Sequence, residues 1–173
     1  MYLFRVDHRE FKCGEKITST SSYQKAIDIE HKITELCLEK TRPNNLISRN
    51  NLFLFCNLKD AFQFTIKNSN INIYYVDILQ SGLFFKGDMN YIDTIFKAVK
   101  EEQALKDIYK LCYNYWHQIT TPNPCYEILV QEALVMKKIC TSKDIQMFNE
   151  EFKIHQQIEK CPLYIEKSNQ IIL

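Results

Sequence analysis

Charged and amide side chains interrupt three apolar stretches of this sequence, and their positions suggest chemistry. Arg5 lies in the middle of an alternating, strand-like segment near the N-terminus. Arg49 and Asn51 precede the apolar run Leu52–Cys56, and Glu127 opens a later apolar strand after a break at two prolines. A charge in such a place must be paired, solvated or functional. An arginine can hold an anion, and a carboxylate can stabilise a developing positive charge.

Composition restricts the classes of protein to which the chain can belong. Its 173 residues are 46% hydrophobic and 25% charged, typical of one soluble globular domain. A formal net charge of +1 gives no overall electrostatic reason to bind nucleic acid or an anionic membrane. The glycines Gly14, Gly82 and Gly87 lie too far apart for a P-loop or a dinucleotide-binding fingerprint. P-loop hydrolysis and Rossmann-type cofactor binding are therefore strongly disfavoured.

The cysteines predict a reducing environment and no metal site. There are seven of them, and no two have the close spacing that a structural zinc site usually shows. Several lie in apolar runs, where a free thiol packs as a small hydrophobic group. The N-terminus lacks the pattern of a signal peptide, and no apolar run approaches the ~20 residues of a membrane span. We therefore expect a cytoplasmic protein that does not contact a membrane.

The periodicity of apolar residues predicts an α+β fold with a mixed or split sheet rather than a doubly wound parallel sheet. Predicted strands cover residues 2–8, 52–56, 71–79, 126–130 and 133–139, with an edge strand at 163–165 and a loop or short strand at 82–87. Predicted helices cover residues 23–40, 58–66, the stretch from the cap at Asp88 through Val99, 101–119 and 142–159.

Two of these helices have apolar stripes that we expect to face the core. The first stripe consists of Ala26, Ile29, Ile33, Leu36 and Cys37. The second consists of Leu105, Ile108, Leu111, Cys112 and Tyr115, with Trp116 also expected in the core.

The order of three short motifs resembles the ADP-ribosyltransferase superfamily, and more narrowly a bacterial branch of it. Leu3-Phe-Arg-Val-Asp7 is similar to the first strand of that fold, which carries an arginine or histidine. Asn51-Leu-Phe-Leu-Phe-Cys-Asn57 is similar to its middle strand, and Tyr126-Glu-Ile-Leu-Val130 to the late strand that begins with the family's glutamate. The resemblance covers roughly residues 1–140 and implies one ADP-ribosyltransferase-like domain over residues 1–173, with 140–173 as a C-terminal helix and tail.

The resemblance implies a glycosyltransferase that uses NAD as co-substrate and releases nicotinamide. Glu127 would be the catalytic residue, which stabilises the oxocarbenium-like state formed as the nicotinamide–ribose bond breaks. Arg5 would hold the NAD phosphates or ribose. Further cofactor-binding candidates are Asn51, Phe53, Phe55, Tyr74 and Arg49, with Tyr75 as a possible ring-stacking residue. The acceptor would be a macromolecule or a small molecule, in a toxin, an effector delivered to a host cytosol, or a phage-defence protein.

Two departures from the family pattern and several alternatives accompany this interpretation. Cys125 stands where many protein-modifying members have a second Glu or Gln. On the middle strand, where many relatives have Ser-Thr-Ser or a tyrosine, this chain has Asn51, Phe53 and Phe55. Glu127 could instead be a solvated edge-strand carboxylate, and Arg5 an ion-paired strand residue. A non-catalytic protein-interaction module on the same scaffold is the main alternative function. RNA 2′-phosphotransfer is a third, but it should require a basic stripe that the sequence lacks.

Overall fold

A computed structural model describes residues 3–19, 28–65, 71–78, 84–141 and 143–147. Its strands are β1 (Leu3–Asp7), β2 (Lys16–Thr18), β3 (Leu52–Phe55), β4 (Asn72–Ile78), β5 (Phe84–Asp88), β6 (Tyr126–Val130) and β7 (Glu132–Cys140). Its helices are α1 (Ile29–Thr41), α2 (Leu58–Thr65), α3 (Asn90–Lys100) and α4 (Leu105–Trp116), and residues 143–147 are also helical. The predicted α+β class is confirmed.

The seven strands form one sheet in the order β2-β7-β4-β1-β3-β6-β5. Every neighbouring pair is antiparallel, so the sheet is not mixed. The predicted central strand is confirmed, because β3 lies between β1 and β6 and its Leu52, Leu54 and Phe55 are buried. The ladder between β1 and β3 is short: Phe4 and Phe55 are its one registered pair in the described residues.

The sheet folds back on itself. β6 and β7 are joined by Gln131 alone, yet four strand-to-strand steps separate them in the sheet order. At about 4.8 Å a step those strands would lie ~19 Å apart in a flat sheet, whereas two peptide steps span at most ~7 Å. The strands therefore curl around an apolar interior. It is lined by Leu3, Ile17, Leu52, Leu54, Tyr74, Val76, Ile128, Val130, Ala133 and Val135.

Helices α1, α3 and α4 pack together against the other face of the sheet. Their shared core includes Leu38, Ile95, Cys112 and Trp116, together with the sheet residues Phe85 and Leu129. The indole N–H of Trp116 donates to the carbonyl oxygen of Leu38 at 2.8 Å, which ties α4 to α1. The expectation that Trp116 belongs to the core is confirmed. This helical layer covers the sheet face on which Glu127 lies.

The predicted stripe on α1 is wrong in part. Ile29 and Leu36 are 63% and 68% exposed, and Ile33 is also exposed. The buried side of α1 consists instead of Thr34, Cys37 and Leu38. The helix is turned in this way because Leu38 meets Trp116, and because Glu35 and Glu39 face the loop that leads to β3.

Other boundaries differ from the predictions in smaller ways. Helix α4 begins at Leu105 rather than at residue 101, and Leu105 is exposed rather than on the buried stripe. The uncertain segment 82–87 contains a strand, since β5 covers Phe84–Asp88. Asp88 accepts a hydrogen bond from the backbone N–H of Asn90, as a cap would, although the N-cap position itself is Met89.

Some predictions fall on parts of the chain outside the described residues. These are the start of the first helix at residue 23, most of the helix predicted at 142–159, the edge strand at 163–165 and the cysteine at position 161. Among the residues that are described, no helix has both the length and the apolar character needed to cross a membrane.

Candidate active site

Glu127 occupies the most enclosed polar position of the sheet. It is the second residue of β6, where it pairs with Phe55 of β3 on one side and with Gly87 of β5 on the other. Its side chain is only 1% exposed. The alternative of a solvated edge-strand carboxylate is therefore wrong, because β6 is an inner strand and the helical layer covers this face.

Arg49 is the cation that accompanies Glu127. It lies in the loop between α1 and β3, and its backbone N–H is fixed by the side chain of Glu39 on α1 at 2.9 Å. Its guanidinium donates to Glu127 Oε1 through Nη1, and to both carboxylate oxygens of Glu35 through Nε and Nη2. Arg49 thus bridges carboxylates from α1 and from β6.

Tyr115 of α4 completes this network. Its hydroxyl donates to Glu127 Oε1 at 2.6 Å and accepts from Arg49 Nη1 at 2.9 Å. The aromatic ring lies against Gly87: a Cβ atom at that position would stand 2.4 Å from Tyr115 Cε2. Gly87 therefore allows the ring to approach the sheet closely enough to reach the neighbouring Glu127.

Burial and charge act in opposite directions on these groups. Desolvation raises the pKa of Glu127 above its usual value, and Arg49 and Tyr115 only partly offset this. Burial alone would lower the pKa of Arg49, but Glu127, Tyr115 and Glu35 more than offset it, so Arg49 stays charged. Burial raises the pKa of Tyr115 well above its usual value. Glu127 Oε2 is buried and has no hydrogen-bond partner in the described part of the chain.

Arg5 makes a separate set of contacts at the gap between β1 and β3. Its Nε and Nη2 donate to Asp7 Oδ2 at 3.0 and 2.9 Å, and its Nη1 donates to the carbonyl oxygen of Phe53 at 3.0 Å. The guanidinium also lies 4.7 Å from the centre of the Phe53 ring. Burial lowers the pKa of Arg5, and Asp7 opposes that change. Arg5 therefore links the two strands where their backbone ladder is short.

Asp7 and Arg9 belong to this cluster, although neither was among the predicted site residues. Arg9 donates to both oxygens of Asp7, through Nε and Nη2. Burial would raise the pKa of Asp7, but Arg9 and Arg5 lower it to about 2. Arg5, Asp7 and Arg9 occupy alternate positions at the end of a predicted strand. That spacing of three charged residues is the signal that could have indicated this cluster.

The strand register separates Arg5 from Glu127. Directly paired residues share a face of the sheet, so Phe4, Phe55 and Glu127 lie on one face. Arg5 follows Phe4 and pairs with Tyr74, so its side chain leaves the backbone on the opposite face. At the gap between β1 and β3 its guanidinium reaches the carbonyl oxygen and ring of Phe53, and it makes no contact with Glu127. The structure therefore places Arg49, and not Arg5, against Glu127.

The remaining predicted site residues divide between the two faces. The rings of Phe53 and Phe55 meet edge to face, 6.2 Å apart, on the side of Glu127. Tyr74 faces the curled interior, where its hydroxyl donates to the carbonyl oxygen of Arg9 and accepts from the N–H of Phe11. The Asn51 side chain donates to the carbonyl oxygen of Ser48 within the turn before β3.

Two other kinds of site would be a cysteine nucleophile at Cys125 and a cluster of metal ligands in the described residues. Burial raises the pKa of Cys125 to about 12, so its thiol stays protonated at neutral pH. No group of three or more histidine, cysteine, aspartate or glutamate side chains is arranged to hold a metal ion in the ranges that the structure describes.

Comparison with known proteins adds no family assignment to this geometry. Neither a protein-family model nor a curated protein matches the chain.

Proposed function

We propose that the protein cleaves the nicotinamide–ribose bond of NAD and transfers ADP-ribose to an acceptor, on a domain with an ADP-ribosyltransferase-like fold. The observation that carries this proposal is the state of Glu127. One of its carboxylate oxygens is held by Arg49 and Tyr115, and the other is buried without a hydrogen-bond partner in the described residues. A fixed carboxylate with one oxygen that accepts no hydrogen bond from the described residues suits the stabilisation of a cationic transition state.

In this proposal the glycosidic bond between the ribose C1′ and the nicotinamide nitrogen breaks, and its electron pair leaves with nicotinamide. The Glu127 carboxylate stabilises the positive charge that develops on the ribose. An acceptor nucleophile then bonds to C1′ and loses its proton. When the acceptor is water, the products are ADP-ribose, nicotinamide and a proton.

Arg49 orients Glu127 and favours its ionised form, because a buried carboxylate without a cation would take up a proton more readily. The ring of Phe53 lies on the same face and is only partly buried, so it is suited to pack against the nicotinamide ring. Phe55 is fully buried in the core and supports the Phe53 ring edge to face. Arg5 has its donors directed at Asp7 and Phe53, so we assign it the role of fixing β1 to β3 beside the site.

Substrate would approach Glu127 from the side of Glu35. The exposed fraction of the side chain falls from 14% at Glu35 through 7% at Arg49 to 1% at Glu127. The ion pair between Arg49 and Glu35 is bidentate, the geometry in which arginine also binds phosphate. A phosphate group of NAD that replaced Glu35 on Arg49 would open this path.

The test measures nicotinamide release from NAD by the wild-type chain, by Glu127→Gln and by Glu132→Gln. Glu132 provides a matched control, because it lies on β7 and its partly exposed carboxylate pairs with Lys16. We expect release by the wild type and by Glu132→Gln, and background release by Glu127→Gln. Mass spectrometry of a cell lysate incubated with the protein and labelled NAD would then identify the acceptor.

One observation favours the alternative of a non-catalytic protein-interaction module. Glu127 lies beneath the helical layer with a side chain that is only 1% exposed, as a structural ion pair would. In that case Glu127→Gln would change the stability of the fold but not the binding of a protein partner. Substitutions at exposed positions such as Leu36 would instead abolish partner capture.

A further inference from the structure

Tyr115 makes two hydrogen bonds that together determine how the Glu127 carboxylate is used. Its hydroxyl donates to Oε1 of Glu127 and accepts from Nη1 of Arg49, which donates to the same oxygen. Oε1 therefore has two donors, while Oε2 has none among the described residues. This asymmetry distinguishes the two oxygens of one carboxylate.

The sheet and α4 are shaped to keep Tyr115 in this place. Its ring is fully buried and lies over Gly87, where any Cβ atom would collide with it. Phe85 and Trp116 contact the ring on other sides, with centroid distances of 5.3 and 4.9 Å. A side chain held on three sides has little freedom to rotate, so its hydroxyl is fixed relative to Glu127.

We propose that Tyr115 is a positioning residue for the reaction at Glu127: by holding Oε1 together with Arg49, it presents Oε2 to the ribose of the substrate. This inference rests on the proposed function. Tyr115 acts through Glu127, and its own hydroxyl neither attacks nor protonates the substrate.

Four groups face the Glu127 carboxylate and set its electrostatic environment. Arg49 approaches from the loop before β3, Tyr115 from α4 and Glu35 from α1, while Cys125 lies two residues before Glu127, just ahead of β6. Of these, Arg49 and Tyr115 favour the ionised carboxylate, and Glu35 disfavours it. Loss of the Tyr115 hydroxyl should therefore raise the pKa of Glu127.

The kinetic test compares Tyr115→Phe, which keeps the ring and removes only the hydroxyl, with Tyr113→Phe. Tyr113 is on the same helix and is half exposed, so it controls for the substitution itself. We expect Tyr115→Phe to lower kcat for nicotinamide release about tenfold and to leave KM within about twofold. The acid limb of the pH–rate profile should move to higher pH, whereas Tyr113→Phe should match the wild type.

A second measurement does not depend on NAD. If Tyr115 holds the ionised carboxylate, Tyr115→Phe should weaken folding more at pH 7 than at pH 4.5, where more of the Glu127 carboxyl is protonated. If loss of the hydroxyl raises the pKa of Glu127 by one further unit, the folding equilibrium constant falls by up to about tenfold more at pH 7 than at pH 4.5. Urea unfolding of both variants at the two pH values measures it.

The outcomes separate this inference from the proposed function. A shifted acid limb with a pH-dependent loss of stability supports the role of Tyr115. An unmoved limb with a loss of stability that is the same at both pH values overturns it and leaves Tyr115 as a packing residue. If the wild type releases no nicotinamide, the proposed function fails, while the unfolding comparison still decides whether Tyr115 holds Glu127.

Discussion

Arg49 joins two carboxylates that approach from different elements, Glu35 on α1 and Glu127 on β6. Removing one partner of a buried pair is costly because the remaining charge stays buried without compensation. Glu127, with a side chain that is 1% exposed, has no access to water that could replace the guanidinium. The local fold therefore depends on Arg49 whether or not the site is catalytic.

Replacing Arg49 with alanine should lower the free energy of unfolding by about 3–5 kcal/mol, measured by urea denaturation at pH 7. The loss should be clearly smaller in a Glu127→Gln background, since no buried negative charge then remains at that position. Lys97→Ala is the control, because Lys97 and Glu101 form an exposed pair worth about 1 kcal/mol or less. Equal losses in both backgrounds would contradict a direct coupling of Arg49 with Glu127.

Asp7 should make the stability depend on pH in the acid range. Its folded pKa of about 2 lies below its ordinary value of 3.8, so the stabilisation is complete above about pH 4 and is lost as the pH falls toward 2. Asp7→Asn should therefore cost about 2 kcal/mol at pH 7 and much less near pH 2. Asp77→Asn on the exposed side of β4 is the control. A cost that does not change with pH would rule out the ion pairs as its source.

At the scale of elements, the contact between β5 and α4 depends on the absence of a side chain at Gly87. Gly87→Ala would place a Cβ atom 2.4 Å from the ring of Tyr115 and 2.8 Å from that of Phe85. We expect a loss of about 1–3 kcal/mol in the free energy of unfolding, because the ring must move away from the sheet. In a Tyr115→Ala background the same substitution should cost much less. A double-mutant cycle measures the difference, and additive costs would contradict the proposed contact.

The strands and helices could be located from the sequence more reliably than the faces they bury. The strand at 126–130 and the helix from residue 58 were predicted closely because their apolar spacing and flanking turns are local signals. The orientation of α1 was not, because Ile29 and Leu36 have helical spacing but lie away from the core. Which stripe of that helix is buried depends on Arg49 in the following loop and on Trp116, which lies 78 positions from its partner Leu38.

At the scale of the whole molecule, the curled antiparallel sheet brings together residues that no local pattern connects. Glu127 was chosen from the sequence because a charge opens an apolar strand. Its contact with Arg49 spans 78 positions and its contact with Tyr115 spans 12. The expectation that Glu127 and Arg5 line one NAD site depended on the register of β1, β3 and β6, which a single sequence does not contain. The resemblance to ADP-ribosyltransferases therefore remains a proposal about the site.

The proposed cleavage of NAD at Glu127 predicts a large ratio between two rates of nicotinamide release. Nicotinamide release should be measured for the wild type and for Glu127→Gln at equal folded concentration, with circular dichroism as the check on folding. If Glu127 stabilises the ribosyl cation as we propose, Glu127→Gln should be slower by at least about a hundredfold. Equal rates, or no release above background by the folded wild-type protein, would contradict it.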